Sequence, residues 1–269
     1  MTVADDQLAS QLAEQAGRRL LALRARGGEP SALRDAGDRL SHEFLTAELA
    51  IARPGDAVLS EEGADDPARL SARRVWIIDP LDGTREFGEA GRTDWAVHVA
   101  LWQDGQLAAG AVALPAQGRV LSTARPQAGN NAPRPGRLRL VVSRSRPPEF
   151  VRLLADELGA DLLPMGSAGA KAAAVISAEA DAYVHSGGQY EWDSAAPVAV
   201  ARAAGLHASR IDGSELRYNQ PDPSVPDILI CPIELAAPLL KAISRTLSVA
   251  RPGRLPSQTS PLPSDPEPS

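Results

Sequence analysis

The chain has 269 residues, of which 43% are hydrophobic, so it can bury a substantial core as one large domain or two modest ones. A formal net charge of −6 argues against a general binder of nucleic-acid polymers or membrane surfaces, because such proteins need a basic face. The single cysteine, Cys231, lies in an apolar run and excludes both an internal disulfide framework and a cysteine-based zinc site. No signal peptide or membrane-length apolar run is visible, so we expect a soluble, cytoplasmic protein.

The predicted elements begin with two helices and continue as strands. Leucine and alanine recur every three or four residues from 8 to 23, and a second helix is predicted from about Asp38 to Ala52. Asp104-Gly105 is typical of a hairpin turn between two strands. Short runs rich in β-branched and aromatic residues predict the strands 57–60, 74–79, 95–102, 107–114 and 119–123.

The second half alternates strands with helices, which favours an α/β arrangement on a mixed sheet. Residues 125–137, rich in proline, glycine and asparagine, predict a linker or long loop before it. The predicted elements are strand 138–143, a helix after Pro147-Pro148, strand 161–164, helix 168–179, strand 181–185, a helix from Asp193 to about Ala204, strands near 207–211 and 228–231, and helix 233–249.

Three regions follow from these patterns. Residues 1–136 form an N-terminal α+β half and residues 137–249 a C-terminal α/β half. Residues 250–269 are rich in proline and serine without apolar periodicity, so we expect a disordered tail.

The stretch Trp76-Ile-Ile-Asp-Pro-Leu-Asp-Gly-Thr84 carries the strongest chemical signal. An apolar strand delivers Asp79 to its carboxyl end, Pro80 should force the chain out of the ladder, and Asp82 returns a second carboxylate to the same place. These two carboxylates and the Leu81 carbonyl offer the hard oxygen ligands that Mg²⁺ prefers. The N–H groups of Gly83 and Thr84 would face an anion at a helix N-terminus.

The spacing within this stretch excludes one related chemistry. Phosphatases of the haloacid dehalogenase type use Asp-x-Asp-Gly-Thr, with a single residue between the aspartates. Here Pro80 and Leu81 both intervene, which argues against a phospho-enzyme and for a metal-activated water.

Three further acidic residues belong to the same hypothesis. Glu61 follows a short apolar strand, Asp38 is predicted to open the second helix, and Asp193 lies at a predicted helix start. Each alone has an ordinary explanation, as a helix cap or a surface residue. Together with Asp79 and Asp82, they predict one acidic site. The N-terminal half would carry Asp38, Glu61 and the motif of Asp79 and Asp82. The C-terminal half would carry Asp193 and Lys171.

These residues resemble the inositol monophosphatase superfamily of lithium-sensitive, Mg²⁺-dependent phosphatases, over roughly residues 8–249. The resemblance implies a fold of the α+β / α/β class, with layers in the order α-β-α-β-α as in the sugar phosphatases. Within the superfamily the sequence is most similar to the 3′(2′),5′-bisphosphate nucleotidase branch, the CysQ type. This likeness rests on Asp82-Gly-Thr-Arg-Glu-Phe87, Gly166-Ser-Ala-Gly-Ala-Lys171 and Asp212-Gly-Ser-Glu-Leu-Arg-Tyr-Asn219. His185 stands where inositol phosphatases place a glutamate for an inositol hydroxyl.

The resemblance also implies roles for individual residues. One Mg²⁺ would be held by Glu61, Asp79 and the Leu81 carbonyl, and a second by Asp79, Asp82 and Asp193, with a third, weaker site near Glu61. The implied catalytic residues, which orient and help deprotonate the attacking water, are Asp38, Glu61 and Thr84. The implied substrate contacts are Glu61, Leu81, Asp82, Gly83, Thr84, Ser167, Lys171, His185 and Asp193.

The implied activity is hydrolysis of the 3′-phosphate of adenosine 3′,5′-bisphosphate to AMP, and of its sulfated precursor, a reaction of sulfur assimilation. Two alternatives remain open at the level of sequence. Inositol-1-monophosphatase or fructose-1,6-bisphosphatase could be the main or a side activity, or the chain could be a non-catalytic nucleotide or metal sensor. A small phosphorylated nucleotide is therefore the expected partner, and the family's frequent dimers imply a homodimer.

Overall fold

The computed structural model describes residues 3–127, 136–145 and 147–250. Most of the predicted linker at 125–137 and nearly all of the predicted tail at 250–269 lie outside these residues. Among the helices in the described ranges, none is long and apolar enough to cross a membrane.

Two long helices open the fold. Helix α1 spans Asp5–Ala25 and helix α2 spans Pro30–Ala52. The prediction that α2 begins near Asp38 is wrong, because the Glu29 carboxylate accepts hydrogen bonds from the first-turn amides and Pro30 occupies the first helical position. Gly37 lies inside α2. A Cβ there would lie 2.8 Å from Phe87 Cε1, so the glycine allows a neighbouring element to pack closely.

The first sheet has the strand order β1-β2-β3-β4-β5. Strand β1 is parallel to β2, and the remaining pairs are antiparallel. Asp104 and Gly105 form the turn between β3 and β4, both with positive φ, as the sequence predicts. The elements are β1 (Ala57–Ser60), a 3₁₀ helix (Pro67–Ser71), β2 (Arg74–Asp82), α3 (Thr84–Gly88), β3 (Ala96–Gln103), β4 (Gln106–Leu114), a 3₁₀ helix (Pro115–Gln117) and β5 (Arg119–Ser122).

The second sheet has the order β7-β6-β8-β10-β9 and is mixed. Strand β6 is parallel to β7 and β8, whereas β10 is antiparallel to β8 and β9. The elements are β6 (Arg139–Ser143), α4 (Glu149–Leu158), β7 (Asp161–Met165), α5 (Ala168–Ile176), β8 (Ala182–Tyr190), α6 (Glu191–Ala203), β9 (His207–Ser209), β10 (Ser224–Cys231) and α7 (Ile233–Ala250).

Strands β2, β8 and β10 run further than the sequence predicts, and β10 begins at Ser224 instead of near 228. Strand β2 continues through Pro80, and Asp82 pairs with Ala96 after an irregularity in the register, so the proline does not end the ladder. Strand β8 continues past His185 through Gly187 and Gly188, which both have positive φ and interrupt the register opposite β10. These irregularities accommodate Pro80 in β2 and the two glycines with positive φ in β8.

The elements stack in five layers, which confirms the expected α-β-α-β-α arrangement. Helices α1 and α2 pack on one face of the first sheet. Helices α5 and α6 lie between the two sheets, where β2 contributes Val75 and Ile77 to the same apolar cluster as Val141 of β6. Helices α4 and α7 cover the far face of the second sheet, and Cys231 is buried there, in keeping with the apolar run in which it lies.

The central layer is built from small side chains. Helix α5 is mostly alanine, and α6 presents several alanines to the first sheet. Gly110 of β4 faces α6, and a Cβ there would lie 2.6 Å from the Cβ of Ala199. Close packing of this layer brings the ends of β2, α5 and α6 together.

Candidate active site

Strand β2 ends in two buried aspartates. Its central residues are all fully buried, and Asp79 is only 1% exposed. The Asp79 carboxylate accepts a hydrogen bond from the Leu81 amide at 3.0 Å. Gly83 follows with φ of 87°, which glycine adopts without strain, and turns the chain into α3. A Cβ at Gly83 would lie 3.3 Å from the Asp94 carbonyl oxygen, so close approach also favours glycine.

One carboxylate oxygen of Asp82 binds three groups that belong to two neighbouring elements, β3 and α5. Its Oδ2 accepts hydrogen bonds from the Ser167 hydroxyl and from the Gly169 amide at 2.8 Å, and it lies 3.1 Å from His98 Nε2. Burial by itself would raise the pKa of Asp82, but the charges of His98 and Lys171 and these hydrogen bonds lower it to about 2. Asp82 is therefore an ionised group that joins β2 to β3 and to the first turn of α5.

His98 is the residue that sequence reasoning missed. It lies directly opposite Asp79 in the antiparallel pairing of β2 and β3, and its Nδ1 donates to the Trp192 carbonyl at 3.0 Å. Burial alone lowers the pKa of His98, but the charge and hydrogen bond of Asp82 outweigh this and raise it above the usual value. Its signal in the sequence was a single polar residue inside the apolar run Trp95-Ala-Val-His-Val-Ala-Leu-Trp102.

The other carboxylates crowd around Asp79. Loss of hydration and the charges of Asp193 and Asp82 raise the pKa of Glu61 to about 7, and burial with the charge of Asp82 raises that of Asp193 to about 6. Burial and the charge of Glu61 raise the pKa of Asp79 well above its usual value. Asp193 also accepts from the Tyr190 amide at 2.7 Å, as a capping residue of α6.

The crowding of these carboxylates bears on whether the site can hold a metal ion. Carboxylates that resist ionisation when brought together need either protons or a cation between them. Asp79, Asp82 and His98 each place a ligand atom within 4.8 Å of the others, and all three residues are buried. A set dominated by carboxylate oxygens suits a hard divalent cation. The residues present therefore fit a metal site.

Thr84 lies between a carboxylate and a carbonyl group. Its hydroxyl is 3.0 Å from the Leu81 carbonyl oxygen and 3.3 Å from Asp38 Oδ1. Burial and the charge of Glu62 raise the pKa of Asp38 to about 7, against the hydrogen bond from Thr84, which lowers it. Asp38 lies in the interior of α2, so it is available as a side chain facing Thr84 and not as a helix cap.

A cavity of about 430 Å³ opens beside these carboxylates. Ser167, with φ of 44°, caps α5. Its hydroxyl donates to Asp82 and accepts from the Ala170 amide. Lys171 is buried, and its ammonium donates to the carbonyls of Gly166 and Ser167 at 3.1 and 2.7 Å. His185 is 2.8 Å from the Gly187 carbonyl oxygen through Nε2.

The structure brings the predicted residues to one place. Glu61, Asp79 and Asp193 interact electrostatically around Asp82, and Asp38 reaches the group through Thr84. The predicted residues that line the cavity directly are Asp82, Gly83, Thr84, Ser167, Lys171, His185 and Asp193.

Comparison with known proteins shows the family of this chain. The sequence profile described as "Inositol monophosphatase family" matches residues 3–246. The chain is 53% identical over 252 residues to "3′-phosphoadenosine 5′-phosphate phosphatase" of Mycobacterium leprae, covering 89% of this chain and 93% of that protein. It is 31% identical over 197 residues to "3′(2′),5′-bisphosphate nucleotidase CysQ" of Salmonella typhimurium, covering 68% and 78% of the two chains.

A solved structure extends the likeness to three dimensions. The crystal structure of CysQ from Bacteroides thetaiotaomicron, a bacterial member of the inositol monophosphatase family, superposes with a TM-score of 0.73 at 27% identity. It covers 85% of this chain and 97% of that one. This chain belongs to the inositol monophosphatase family, whose members are metal-dependent phosphatases.

Proposed function

We propose that this chain is a Mg²⁺-dependent 3′(2′),5′-bisphosphate nucleotidase that hydrolyses the 3′-phosphate of adenosine 3′,5′-bisphosphate to AMP. Its sulfated precursor, which carries the same 3′-phosphate, is a second substrate. The observation that carries the proposal is the group of crowded carboxylates around Asp79, at the wall of a cavity of about 430 Å³. The name of the Mycobacterium leprae relative supports the choice of nucleotide.

The metal ligands of the proposal are drawn from this group. Glu61, Asp79 and the Leu81 carbonyl would hold one Mg²⁺, and Asp79, Asp82 and Asp193 a second, with a third, weaker site near Glu61. When bound, the cations offset the carboxylate repulsion and increase the acidity of a water molecule. The Leu81 carbonyl oxygen has two lone pairs and lies near one hydroxyl, that of Thr84, so at least one lone pair stays available for this role.

Thr84 and Asp38 would move the proton of the attacking water. Asp38, with a pKa of about 7, is a base near neutral pH, and the Thr84 hydroxyl faces it at 3.3 Å. The water gives a proton to Thr84 as Thr84 gives its own to Asp38, and the oxygen attacks phosphorus. The bond from phosphorus to the ribose 3′ oxygen breaks, and that oxygen takes a proton from solvent to become a hydroxyl.

The remaining residues would position the substrate. Gly83, Thr84 and Ser167 contact the reacting phosphate in this proposal. In this proposal Lys171 adds positive charge from behind the carbonyls that it binds, and His185, which also lines the cavity, contacts the nucleoside. A cytoplasmic location, a homodimer and inhibition by lithium complete the proposal, as expectations drawn from the family.

The test is phosphate release with and without Mg²⁺ from adenosine 3′,5′-bisphosphate, inositol-1-phosphate and fructose-1,6-bisphosphate. We expect the highest kcat/KM on the nucleotide, and a loss of orders of magnitude in Asp79→Asn, because this carboxylate lies at the centre of the group. Asp104→Asn, which removes an exposed carboxylate at the turn between β3 and β4, is the matched control.

The possible outcomes separate the alternatives. A higher kcat/KM on either sugar phosphate would overturn the nucleotide assignment. Absence of Mg²⁺-dependent phosphate release from all three substrates would indicate a non-catalytic sensor instead.

A further inference from the structure

Among the residues that the structure describes, the cavity lining offers fewer free positive charges than the proposed substrate needs. Its charged lining consists of Asp82, Glu86, Asp193, Arg85 and Lys171. Each phosphate monoester brings about −1.5 to −2 charges at pH 7, so a nucleotide with two of them needs cations at two places. The proposed metal ions lie at the carboxylates and serve the phosphate that reacts. They leave the second phosphate without a counter-charge.

Most basic side chains around the cavity are already engaged. Lys171 is buried and directs its ammonium at two backbone carbonyls. Arg144 forms ion pairs of 2.7 Å with both Glu86 and Glu89. Arg24 donates to backbone carbonyls at the end of α3, including that of Arg92 at 2.7 Å.

Arg85 differs from these residues. It directly follows Thr84 in α3, its side chain is exposed, and it lines the cavity. Within the part of the chain that the structure describes, its guanidinium has neither a hydrogen bond nor an ion pair. An Arg side chain without a partner at the wall of a polar cavity is free to bind an anion in two-point geometry.

We propose that Arg85 binds the second phosphate of the nucleotide, the 5′-phosphate that is not hydrolysed. This inference rests on the proposed function and adds to it the group that selects a bisphosphate over a monophosphate. Thr84 and Arg85 are consecutive, and the two phosphates of the substrate are joined through one ribose. A side chain one residue from the reacting phosphate, with the length of arginine, therefore matches the substrate.

The same arrangement gives the cavity a preference among phosphate esters. A substrate with only the reacting phosphate leaves the Arg85 guanidinium in water, where it does not change the free energy of binding. A bisphosphate gains a charge-assisted, two-point hydrogen-bonding pair, which is stronger than a contact between neutral groups. Arg85 thus acts on selectivity and not on the bond that breaks.

The experiment compares Arg85→Gln and Arg85→Lys with the wild type. The matched control is Arg152→Gln, which removes the same charge from an exposed position on α4. The substrates are adenosine 3′,5′-bisphosphate and adenosine 3′-monophosphate, and the measured quantity is the ratio of their kcat/KM values. We expect Arg85→Gln to lower this ratio by about 10- to 100-fold, the loss typical of a charged hydrogen-bonding pair, with Arg85→Lys in between and Arg152→Gln unchanged.

A second measurement is independent of turnover. Calorimetry with adenosine 5′-monophosphate, the product that keeps the 5′-phosphate, should show weaker binding to Arg85→Gln by a similar factor. An unchanged ratio, or an equal loss on both substrates, overturns the assignment of Arg85. If the wild type releases no phosphate from either nucleotide, the proposed function fails, and equal Kd values for wild type and Arg85→Gln would then dispose of the Arg85 subsite as well.

Discussion

At the scale of single residues, Asp82 shows how protein donors decide the state of a carboxylate. Its Oδ2 receives the Ser167 hydroxyl and the Gly169 amide, and its pKa falls to about 2. Asp79 accepts from the Leu81 amide but is fully buried among other carboxylates, so burial and their charges raise its pKa. Two aspartates three positions apart on the same strand therefore have pKa values shifted in opposite directions, although both are buried.

Gly169→Ala tests the contact that fixes Asp82. A Cβ at this position would lie 2.2 Å from His98 Nε2 and 2.9 Å from Val112 Cγ1, so α5 would have to move away from Asp82. We expect a loss of about 1–3 kcal/mol in the free energy of unfolding, as for other overpacked cores, together with a lower kcat. Gly55→Ala, where a Cβ would meet nothing within 4 Å, is the control for denaturant unfolding and kinetics. Wild-type stability in Gly169→Ala would contradict the packing described.

The approach of Asp79 and Asp82 to one another could be predicted from sequence, because one segment carries both residues. Asp79 and Asp82 follow an unbroken apolar strand and precede a glycine, so their convergence can be inferred locally. His98 could not be found in this way, because its role depends on pairing with Asp79 across two strands, and register is not written in either strand alone. The assignment of individual roles to Asp38, Thr84 and Lys171 stays a prediction.

At the scale of elements, a buried network joins the loop after β1 to the start of α6. Arg69, only 1% exposed, donates to Asn219 Oδ1 at 2.8 Å and to the Gln220 carbonyl at 2.9 Å. Glu191, the first residue of α6, accepts from the amides of Asn219 and Gln220, both at 2.7 Å. The loop that presents Glu61 is thereby bound to the helix that presents Asp193.

Arg69→Met should therefore be costly. It removes several charge-assisted hydrogen bonds at a buried position and leaves the Asn219 side chain with an unsatisfied acceptor, so we expect a loss of about 3 kcal/mol in unfolding free energy. Arg73→Met, which breaks an exposed pair with Asp104, should change stability little. Urea unfolding of both variants measures the difference, and equal effects would show that the network contributes no more than a surface pair.

The boundaries of helices and strands could be predicted where the residues that end them act locally. The predicted helix end near Ala52 and the predicted turn at Asp104-Gly105 are confirmed, since a turn follows α2 and both turn residues have positive φ. Gly37, just before the predicted start of α2, lies inside that helix, and its close contact with Phe87 is visible only in the tertiary structure. The extension of β8 through two glycines likewise depends on its partner β10. The division into halves at 136 and 137 stays a prediction.

At the scale of the whole molecule, the site lies where both sheets and the central helices meet. Carboxylates from α2, β2, α6 and the loop after β1 converge there, so folding itself brings like charges together. The pKa is about 7 for Asp38 and Glu61 and about 6 for Asp193, above the value of about 4 for free carboxyls. The folded chain therefore binds protons that the unfolded chain would release. Stability from this source is fully present below about pH 4 and is lost as pH rises towards 7.

Thermal unfolding between pH 5 and pH 8 tests this linkage. With a chelator present, Tm should fall as pH rises, and Mg²⁺ should raise Tm more at pH 8 than at pH 5, because the cation replaces protons among the carboxylates. Asp79→Asn should flatten the chelator curve, whereas Asp104→Asn, with the same change in net charge, should not. An equal gain in Tm from Mg²⁺ at both pH values would contradict the crowded-carboxylate interpretation.

The burial of Lys171 makes amine chemistry a reporter of local opening. The chain has only two lysines, and the other, Lys241, is exposed on α7 in the outer layer beyond the second sheet. An acylating reagent will modify Lys241 in the native protein at once, but it reaches Lys171 only when the first turn of α5 releases the carbonyls of Gly166 and Ser167. The mass of one tryptic peptide, followed over time with or without nucleotide, then measures how often the wall of the cavity opens.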